Sequence, residues 1–354
     1  MASVLGVQGW LNAPGGRELI EFVGRNRPTI VKILEPQTVG DEMHQALRRA
    51  SPSTIIIWRF VRFFGDRNYV LGLDVDGASK AALDHYGDLR PYLVPRRGLF
   101  DIVETLNEPG FGEPLIAYET TFAMAAQRDS IWVANYAFAT GTPPENAFNR
   151  LRQLSVLPNQ IFAPHEYIWE GNLDRSYNYH IGRFTKWKPA SARFYIGETG
   201  LEPGGWRRWG DGLFREQMPL LDRYYAAFPN CLGAVIFCWN SPGGNEWINY
   251  AIWNTGLDRW LEEYWKSNPP VHRRNLLMGT EPIAQIKRGD VVKAMVWLRL
   301  RKGPGLGHEI LRVLRPGEML LVRENAGDWL RVVALNDRTE GWCASRYTKI
   351  YVEC

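Results

Sequence analysis

Two glutamates, Glu108 and Glu198, each stand at the end of an apolar run of the sequence. The runs, Phe100 to Pro109 and Arg193 to Gly200, both indicate a buried strand that stops at turn residues. A carboxylate at the carboxyl end of a strand is unfavourable in a hydrophobic core, and it is well placed to belong to an active site. If the two strands are parallel and share one sheet, both carboxylates open onto the same face. Such a pair can divide the acid and nucleophile roles that cleavage of a glycosidic bond requires.

The elements around these two strands follow one repeating order, in which an apolar run precedes an amphipathic stretch. Eight such alternations indicate a (β/α)8 barrel, the TIM-barrel fold. An open doubly wound sheet is disfavoured, because the Gly-rich nucleotide turn that it needs after an early strand is missing. The predicted strands are Ser3–Trp10, Thr29–Glu35, Thr54–Val61, Phe100–Glu108, Ile131–Ala137, Ile161–Tyr167, Arg193–Glu198 and Gly233–Asn240. The predicted helices are Gly16–Arg25, Asp41–Ala50, Ser79–Leu93, Leu115–Arg128, Glu145–Leu154, Tyr177–Lys186, Phe214–Phe228 and Leu257–Trp265.

The carboxyl ends of barrel strands form the active sites of such folds, and sugar-binding residue types are predicted there. The chain has 15 Trp, and an indole face stacks on the apolar face of a pyranose ring. Two roles stay open: Arg59 can donate to Glu198 or pair with Glu104, and Trp206 can line a subsite or merely cover the barrel. The candidate substrate-binding residues are Trp10, Arg59, Asn107, Tyr136, His165, Tyr167, Trp206, Trp239 and Asn240.

The barrel resembles the clan A glycoside hydrolases, a group that includes endoglucanases, mannanases and xylanases. Asn-Glu-Pro at 107–109 is similar to that clan's motif at the end of the fourth strand, and His-Glu-Tyr at 165–167 to its His-x-Tyr on the sixth. Glu198 and Trp239 stand where the clan has its nucleophile and the Trp that closes the eighth strand. Glu104 fits the buried acid of the fourth strand.

The resemblance implies a retaining double displacement. In it Glu198 attacks the anomeric carbon, while Glu108 protonates the leaving oxygen and then deprotonates water. Asn107 is expected to hold the sugar 2-hydroxyl. Arg59 and Tyr167 are the candidate donors that keep Glu198 ionised.

The chain changes character from about Ile286, where short alternating runs separated by Gly and Pro turns predict a small all-β barrel. This tail resembles the bacterial SH3-like domain on Leu-Arg-Leu-Arg-Lys-Gly-Pro-Gly at 298–305, Gly-Asp-Trp-Leu-Arg-Val at 327–332 and Glu-Gly-Trp-Cys at 340–343. The resemblance implies a module that binds cell-wall peptide or glycan, or a structural appendage. The expected domains are a catalytic barrel at 1–266, a linker at 267–285 and an SH3-like domain at 286–354.

Other function classes find no support in the sequence. The net charge is only +4 and no long Lys/Arg run is present, so nucleic acid is not an expected partner. No apolar stretch reaches the length of a membrane span, and no signal peptide precedes the apolar strand at Val4. We expect no metal and no cofactor, because metal-ligand spacing, a Gly-x-Ser-x-Gly motif and a phosphate-binding glycine loop are all missing. The four Cys form no evident disulfide framework, and we expect a monomer.

The sequence therefore predicts a retaining glycoside hydrolase that cleaves β-glycosidic bonds. Short loops favour an open cleft, hence endo action on a polysaccharide or oligosaccharide. The alternative is a non-catalytic carbohydrate-binding or cell-wall adhesion protein, and the presence of both carboxylates argues against it. A third possibility is a cell-wall-lytic enzyme whose SH3-like domain selects peptidoglycan. The resemblance implies an extracellular or cell-envelope location.

Overall fold

The computed structural model divides the chain into two compact units, Met1–Gly279 and Thr280–Cys354. The predicted linker 267–285 straddles this division. Parts of the predicted helices at 145–154 and 177–186, and residues 327–328 of the SH3-like motif, fall outside the described residues. The structure describes residues 2–64, 72–144, 147, 150–151, 156–176, 180–187, 192–243, 246–277, 286–294, 298–305, 307–315, 317–326, 329–345 and 348–350.

Eight parallel strands close into a barrel in the first unit, as the sequence predicts. Their order is β1-β8-β7-β6-β5-β4-β3-β2, so β1 completes the ring between β2 and β8. The strands are β1 (Leu5–Gly9), β2 (Ile30–Leu34), β3 (Ile55–Arg59), β4 (Ile102–Glu104), β5 (Trp132–Asn135), β6 (Gln160–Phe162), β7 (Phe194–Thr199) and β8 (Cys231–Ile236). Outside the barrel, Ile168–Trp169 pairs with Leu201–Glu202 and joins the loops that follow β6 and β7.

Most of the barrel strands form where β-branched and aromatic residues are frequent. In β3 the sequence Ile-Ile-Ile-Trp-Arg is buried throughout, because side chains fill the barrel inside and helices cover it outside. Seven of the eight barrel strands are shorter than predicted; β4, for example, spans Ile102–Glu104, whereas the sequence indicated Phe100–Glu108. The residues beyond Glu104 belong to the loop that carries Glu108.

Helices follow the strands and cover the barrel. Apolar residues at helical spacing form their buried faces, such as Leu19, Phe22 and Val23 in α1. Among the described residues, no helix has both the length and the apolar character that crossing a membrane requires. The α-helices with both ends in the described part of the chain are α1 (Gly16–Asn26), α2 (Asp41–Ala50), α3 (Val61–Phe64), α4 (Val75–Leu93), α5 (Glu113–Gln127), α6 (Leu173–Ser176), α7 (Arg183–Trp187), α8 (Gly205–Trp209), α9 (Asp211–Ala226) and α10 (Leu257–Ser267).

The barrel interior changes from apolar to charged along the strands. Ile30, Ile57 and Ile102 belong to one buried apolar cluster. Further along β2, β3 and β4 stand Lys32, Arg59 and Glu104, which are also buried. Ionic groups inside a barrel need partners from neighbouring strands, and these three strands are neighbours. The charged layer therefore lies directly beneath the carboxyl end of the barrel.

The second unit is an antiparallel sheet with its own apolar core. Val292, Leu300, Leu320, Leu330 and Val332 are completely buried in one cluster. The strand order is β11-β10-β14-β13-β12-β9-β15. The strands are β9 (Val291–Ala294), β10 (Leu298–Arg301), β11 (Ile310–Leu314), β12 (Met319–Asn325), β13 (Trp329–Ala334), β14 (Glu340–Ala344) and β15 (Thr348–Ile350).

Candidate active site

Glu108 and Glu198 meet at the carboxyl end of the barrel. Glu108 follows β4 with a left-handed backbone, φ 46°, and its N–H donates to the Ala137 carbonyl at 2.7 Å. Glu198 lies in β7 and pairs with His165 through an isolated parallel bridge. One carboxylate oxygen of each glutamate and one ring nitrogen of His165 all lie within 4.8 Å of one another. The two carboxylates are therefore close enough to act on the same bond.

His165 lies between the two carboxylates. Its Nδ1 is 3.2 Å from Glu108 Oε1 and 3.5 Å from Glu198 Oε2. The side chain is buried, and Nε2 has no hydrogen-bond partner among the described residues. The imidazole thus contacts both glutamates through one nitrogen and fixes their relative position.

Glu198 is surrounded by groups that favour its ionised form. Lys32 Nζ is 3.3 Å and an Arg59 guanidinium nitrogen 4.0 Å from Glu198 Oε1. The Tyr167 hydroxyl donates to Oε2 at 3.0 Å. Burial alone raises the pKa of Glu198, but His165 and these neighbours outweigh burial. They lower the pKa to about 2. Glu198 is therefore an anion at neutral pH.

A second buried carboxylate, Glu104, lies beneath Glu198. Lys32 Nζ is 3.2 Å from Glu104 Oε1, and the Arg59 guanidinium and the Tyr195 hydroxyl also donate to this carboxylate. Burial raises the pKa of Glu104, but the two cations outweigh it and hold the pKa below its ordinary value. Of the two roles that the sequence left open, Arg59 takes the pairing with Glu104, and its guanidinium lies 4.0 Å from Glu198, at the limit of an ion pair. Two cations and two carboxylates balance in charge.

Lys32 was not among the site residues predicted from the sequence. The signal was present: a single Lys interrupts the strand Ile-Val-Lys-Ile-Leu, and a buried lysine is rare without a carboxylate partner. Its side chain is completely buried. The lysine therefore predicts an acidic group inside the barrel, which proves to be both Glu104 and Glu198.

A cavity of about 430 Å³ opens over the two glutamates. It is lined by Arg59, Asn107, Glu108, Tyr167 and Glu198, all selected from the sequence. Asn107 Oδ1 is buried and has no hydrogen-bond partner within the described part of the chain. The other residues that line the cavity are Gln8, Leu34, Val61, Glu202, Pro203, Gly204, Phe237, Trp247, Asn249 and Tyr250.

Trp239 and Asn240 lie away from the cavity, between β8 and the loop after β1. The Trp239 indole packs on Phe22 with ring centroids 4.3 Å apart, and its Nε1 donates to the Gly15 carbonyl at 2.9 Å. Asn240 Oδ1 accepts from the Trp10 backbone at 2.9 Å, and its amide donates to the Trp10 carbonyl. Both side chains connect the segment that follows β8 to the loop that follows β1.

Three further aromatic candidates pack beside the cavity rather than in its wall. Trp10 stacks against Trp247, with ring centroids 5.6 Å apart. Tyr136 is completely buried, and its ring stacks on Phe162 at 5.1 Å. Trp206 donates from Nε1 to the Ala251 carbonyl at 3.1 Å, which joins the loops after β7 and β8. Trp10 thus supports a residue that lines the cavity, whereas Tyr136 packs in the core.

The aromatic lining comes instead from Phe237, Trp247 and Tyr250, which sequence reasoning did not select. Trp247 is 36% exposed at the cavity, and its ring stacks on Trp10. Phe237 follows the last residue of β8, two positions before the Trp239 that the motif suggested. The backbone leaves regular strand geometry there, so simple alternation along the strand no longer predicts which side chains face inward.

Glu108, His165 and Glu198 also have the donor types and spacing of a divalent-cation site. Two positive charges already lie beside Glu198, since Lys32 is 3.3 Å and Arg59 4.0 Å from its Oε1. A metal ion placed there would have to compete with both cations for the Glu198 carboxylate. The donor set therefore fits a metal poorly, and the chemistry of the site is that of two carboxylates in unequal surroundings.

Residues 298–349 match the bacterial SH3 domain family. The chain is thus a (β/α)8-barrel protein with a bacterial SH3 domain, as the sequence analysis predicted. No curated protein sequence is significantly similar to it.

The chain is also similar to several solved structures. A Thermomonospora fusca β-mannanase in complex with mannohexaose is 17% identical, with TM-score 0.43, over 73% of this chain and 88% of that chain. A Streptomyces thermolilacinus β-mannanase with mannohexaose is 14% identical, with TM-score 0.47, over 78% and 93%. Saccharomyces cerevisiae Gas2p with laminaritetraose and laminaripentaose is 10% identical, with TM-score 0.46, over 76% and 64%.

Proposed function

We propose that the barrel is a retaining glycoside hydrolase that cleaves β-glycosidic bonds. The observation that carries the proposal is the spacing of Glu108 and Glu198, whose nearest donor oxygens lie within 4.8 Å. Retaining enzymes hold their carboxyl groups about 5 Å apart, whereas inverting enzymes need roughly 6.5–9.5 Å to admit a water.

Glu198 is the nucleophile in this proposal. It attacks the anomeric carbon as an anion, and its low pKa, with Lys32 and Arg59 beside it, supports that role. The Tyr167 hydroxyl bonded to Glu198 keeps its proton, because burial and the neighbouring carboxylate raise its pKa. Tyr167 can therefore stay a donor throughout the reaction and hold the carboxylate oxygen that does not attack.

Glu108 is the acid and base. It donates a proton to the leaving oxygen, and in the second step it takes a proton from the water that releases the sugar from Glu198. His165, 3.2 Å from Glu108, positions that carboxyl group. Asn107 precedes Glu108 in the sequence and lines the cavity. Its Oδ1 is unpaired within the described residues and would accept a hydrogen bond from the sugar 2-hydroxyl.

The substrate in this proposal is a polysaccharide or oligosaccharide. Trp247 and Phe237 supply aromatic faces in the cavity, which stack on pyranose rings. The bacterial SH3 domain supports a cell-wall ligand and hence an extracellular or cell-envelope location. We propose that it holds the barrel close to its polymer, which raises the local concentration of cleavable bonds.

The test is reducing-sugar release from a panel of β-1,3- and β-1,4-glucan, mannan, xylan, galactan, peptidoglycan and a β-1,4-linked glucosamine polymer. We expect release from one polymer with retention of anomeric configuration, followed by NMR. Glu198→Gln should lower the rate by about three orders of magnitude or more. Glu21→Gln, which changes an exposed carboxylate of α1, should leave the rate intact. Inversion of configuration contradicts the assigned roles. Binding without release from any polymer favours a carbohydrate-binding or adhesion protein.

A further inference from the structure

A third carboxylate, Glu202, lines the cavity that holds Glu108 and Glu198. It stands in the loop after β7. The Gly204 backbone N–H donates to Glu202 Oε2 at 3.0 Å, and the Tyr250 hydroxyl also bonds this carboxylate. These donors fix the side chain but bring no full charge. Within the described part of the chain, no Lys or Arg lies at ion-pair distance from Glu202.

The cations beneath the cavity are already balanced. Lys32 and Arg59 both contact Glu104, and both lie within 4.0 Å of Glu198. Glu202 therefore adds negative charge that neither cation offsets. Burial raises the pKa of Glu202, and the nearby carboxylates of Glu108 and Glu198 raise it further. The hydrogen bonds from Tyr250 and Gly204 lower this pKa but do not cancel the rise. When Glu202 is ionised it makes this part of the cavity wall negative, and a cation bound there would stabilise the ionised form.

An unpaired amide lines the same cavity. Gln8 in β1 is completely buried, and neither its Oε1 nor its Nε2 has a partner among the described residues. Buried polar groups are normally paired, so an amide of this kind marks a place where a ligand or water completes the bonding. A sugar hydroxyl both donates and accepts, and can pair with either atom of the amide.

We propose that the substrate is a β-linked polymer of a sugar that carries a free amine, with its ammonium group at Glu202 and one of its hydroxyls at Gln8. This inference rests on the proposed function and names its substrate class. A protonated amine supplies the charge that Glu202 lacks and forms a charge-assisted hydrogen bond with it. A neutral hexose, or the same sugar N-acetylated, leaves the carboxylate uncompensated.

The first experiment compares kcat/KM for oligomers of β-1,4-linked glucosamine, N-acetylglucosamine and glucose of equal length. We expect the glucosamine oligomer to be preferred about tenfold or more, the size of one charge-assisted hydrogen bond. Glu202→Gln should reduce that preference about tenfold. Glu170→Gln, an exposed carboxylate close to the strand pair that contains Glu202, should keep it. Equal kcat/KM for the three oligomers, or an unchanged preference in Glu202→Gln, overturns the inference.

The second experiment separates this inference from the proposed function. Binding of the same oligomers to Glu198→Gln is measured by calorimetry at low and high salt. We expect the glucosamine oligomer to bind about tenfold tighter than its N-acetylated form, with the difference reduced by salt. If the glucosamine oligomer binds more tightly but the wild type hydrolyses none of the oligomers, the ligand class is supported and the proposed enzymatic function is contradicted. Hydrolysis of neutral polymers without a preference for the amine retains the enzyme and overturns the substrate class.

Discussion

Lys32 is the residue through which the two buried carboxylates of the barrel are coupled. Its ammonium group is 3.2 Å from Glu104 and 3.3 Å from Glu198. A cation shared in this way keeps both groups ionised, although only Glu198 faces the cavity. The proposed nucleophile therefore depends on a residue that never touches the substrate, and Lys32 acts as a positioning residue.

Lys32→Met should move the acid limb of the kcat/KM profile to higher pH. Lys32 lowers the pKa of Glu198, so its removal lets that pKa rise and protonates the nucleophile over more of the acidic range. Breaking a buried pair by removing one partner also destabilises a protein by about 3–5 kcal/mol. The measurements are a pH–rate profile and urea unfolding of both proteins.

Arg25→Met is the matched control for Lys32→Met. It also removes a cation from an ion pair, with Glu262, but Arg25 is 59% exposed. Exposed pairs contribute at most about 1 kcal/mol, so this variant should keep both the pH profile and most of the stability. An unshifted acid limb in a folded Lys32→Met protein contradicts the role given to Lys32.

For single residues, the sequence predicts those cavity residues that lie at or just after the end of a strand. Glu108, Glu198 and Tyr167 reach the cavity because each follows or ends an apolar run. The strand-end pattern does not predict Gln8 and Lys32, because they lie inside strands whose other residues are all apolar or Gly. Their role depends on which carboxylates other strands bring to the same point, and no local pattern contains that information.

A buried glutamate links helix α5 to the strands it covers. Glu119 is completely buried; its carboxylate accepts from Thr105 Oγ1 at 2.7 Å and from the Asn135 amide. Among the described residues no cation pairs with this carboxyl group, so burial dominates and raises the pKa of Glu119 to about 8. The helix is thus attached to β5 and the end of β4 by a carboxyl group that stays protonated at neutral pH.

Glu119→Gln should flatten the dependence of folding stability on pH. The folded wild type keeps the Glu119 proton up to a pKa of about 8, whereas the unfolded chain releases it near its ordinary value. The folded state therefore binds more protons between these values, and the unfolding free energy falls as pH rises through them. The slope reaches about 1.4 kcal/mol per pH unit. Urea unfolding from pH 5 to pH 8, followed by circular dichroism, measures the difference.

Glu113→Gln on the same helix is the control for this measurement. Glu113 is exposed and pairs with Arg150, whose hydrogen bond lowers its pKa. Its replacement should therefore leave the fall in stability between pH 5 and pH 8 unchanged. Parallel pH dependences for the wild type and Glu119→Gln contradict the protonated state assigned to Glu119.

At the scale of elements, the sequence predicts which segments form strands and helices better than where they end. β4 and β8 both stop before the predicted end, and the residues beyond them carry Glu108 and Phe237. Where the strand ends, the chain no longer alternates, so a residue such as Trp239 turns outward to Phe22. Loop backbone is set by contacts from other strands, which a periodic pattern does not encode.

At the scale of the molecule, the alternation of strands and helices predicts the barrel, and the Gly and Trp motifs predict the SH3 domain. Both predictions hold because each rests on many positions rather than on one. The two units have separate apolar cores, one around Ile57 and Ile102 and the other around Leu330 and Val332. We therefore expect each unit to unfold in its own cooperative transition.

Leu330→Ala and Leu261→Ala make the same change in the two units. Both leucines are completely buried, and each substitution should cost about 2–5 kcal/mol. One kcal/mol shifts the melting temperature of a small domain by about 4–8 °C and that of a domain of 150–250 residues by about 2–4 °C. Leu330→Ala should therefore lower the transition of the SH3 unit by about 10 °C or more, and Leu261→Ala that of the barrel by roughly half as much.

Calorimetry of the full chain checks these shifts, with hydrolysis of a soluble oligosaccharide as the second readout. Leu330→Ala should leave the barrel transition and the rate of hydrolysis unchanged, because it alters neither the barrel core nor the cavity. Leu261→Ala should leave the SH3 transition unchanged. A single transition that both variants shift equally shows instead that the two cores unfold as one cooperative unit. In that case the SH3 domain contributes to the stability of the barrel as well as to any binding of the cell wall.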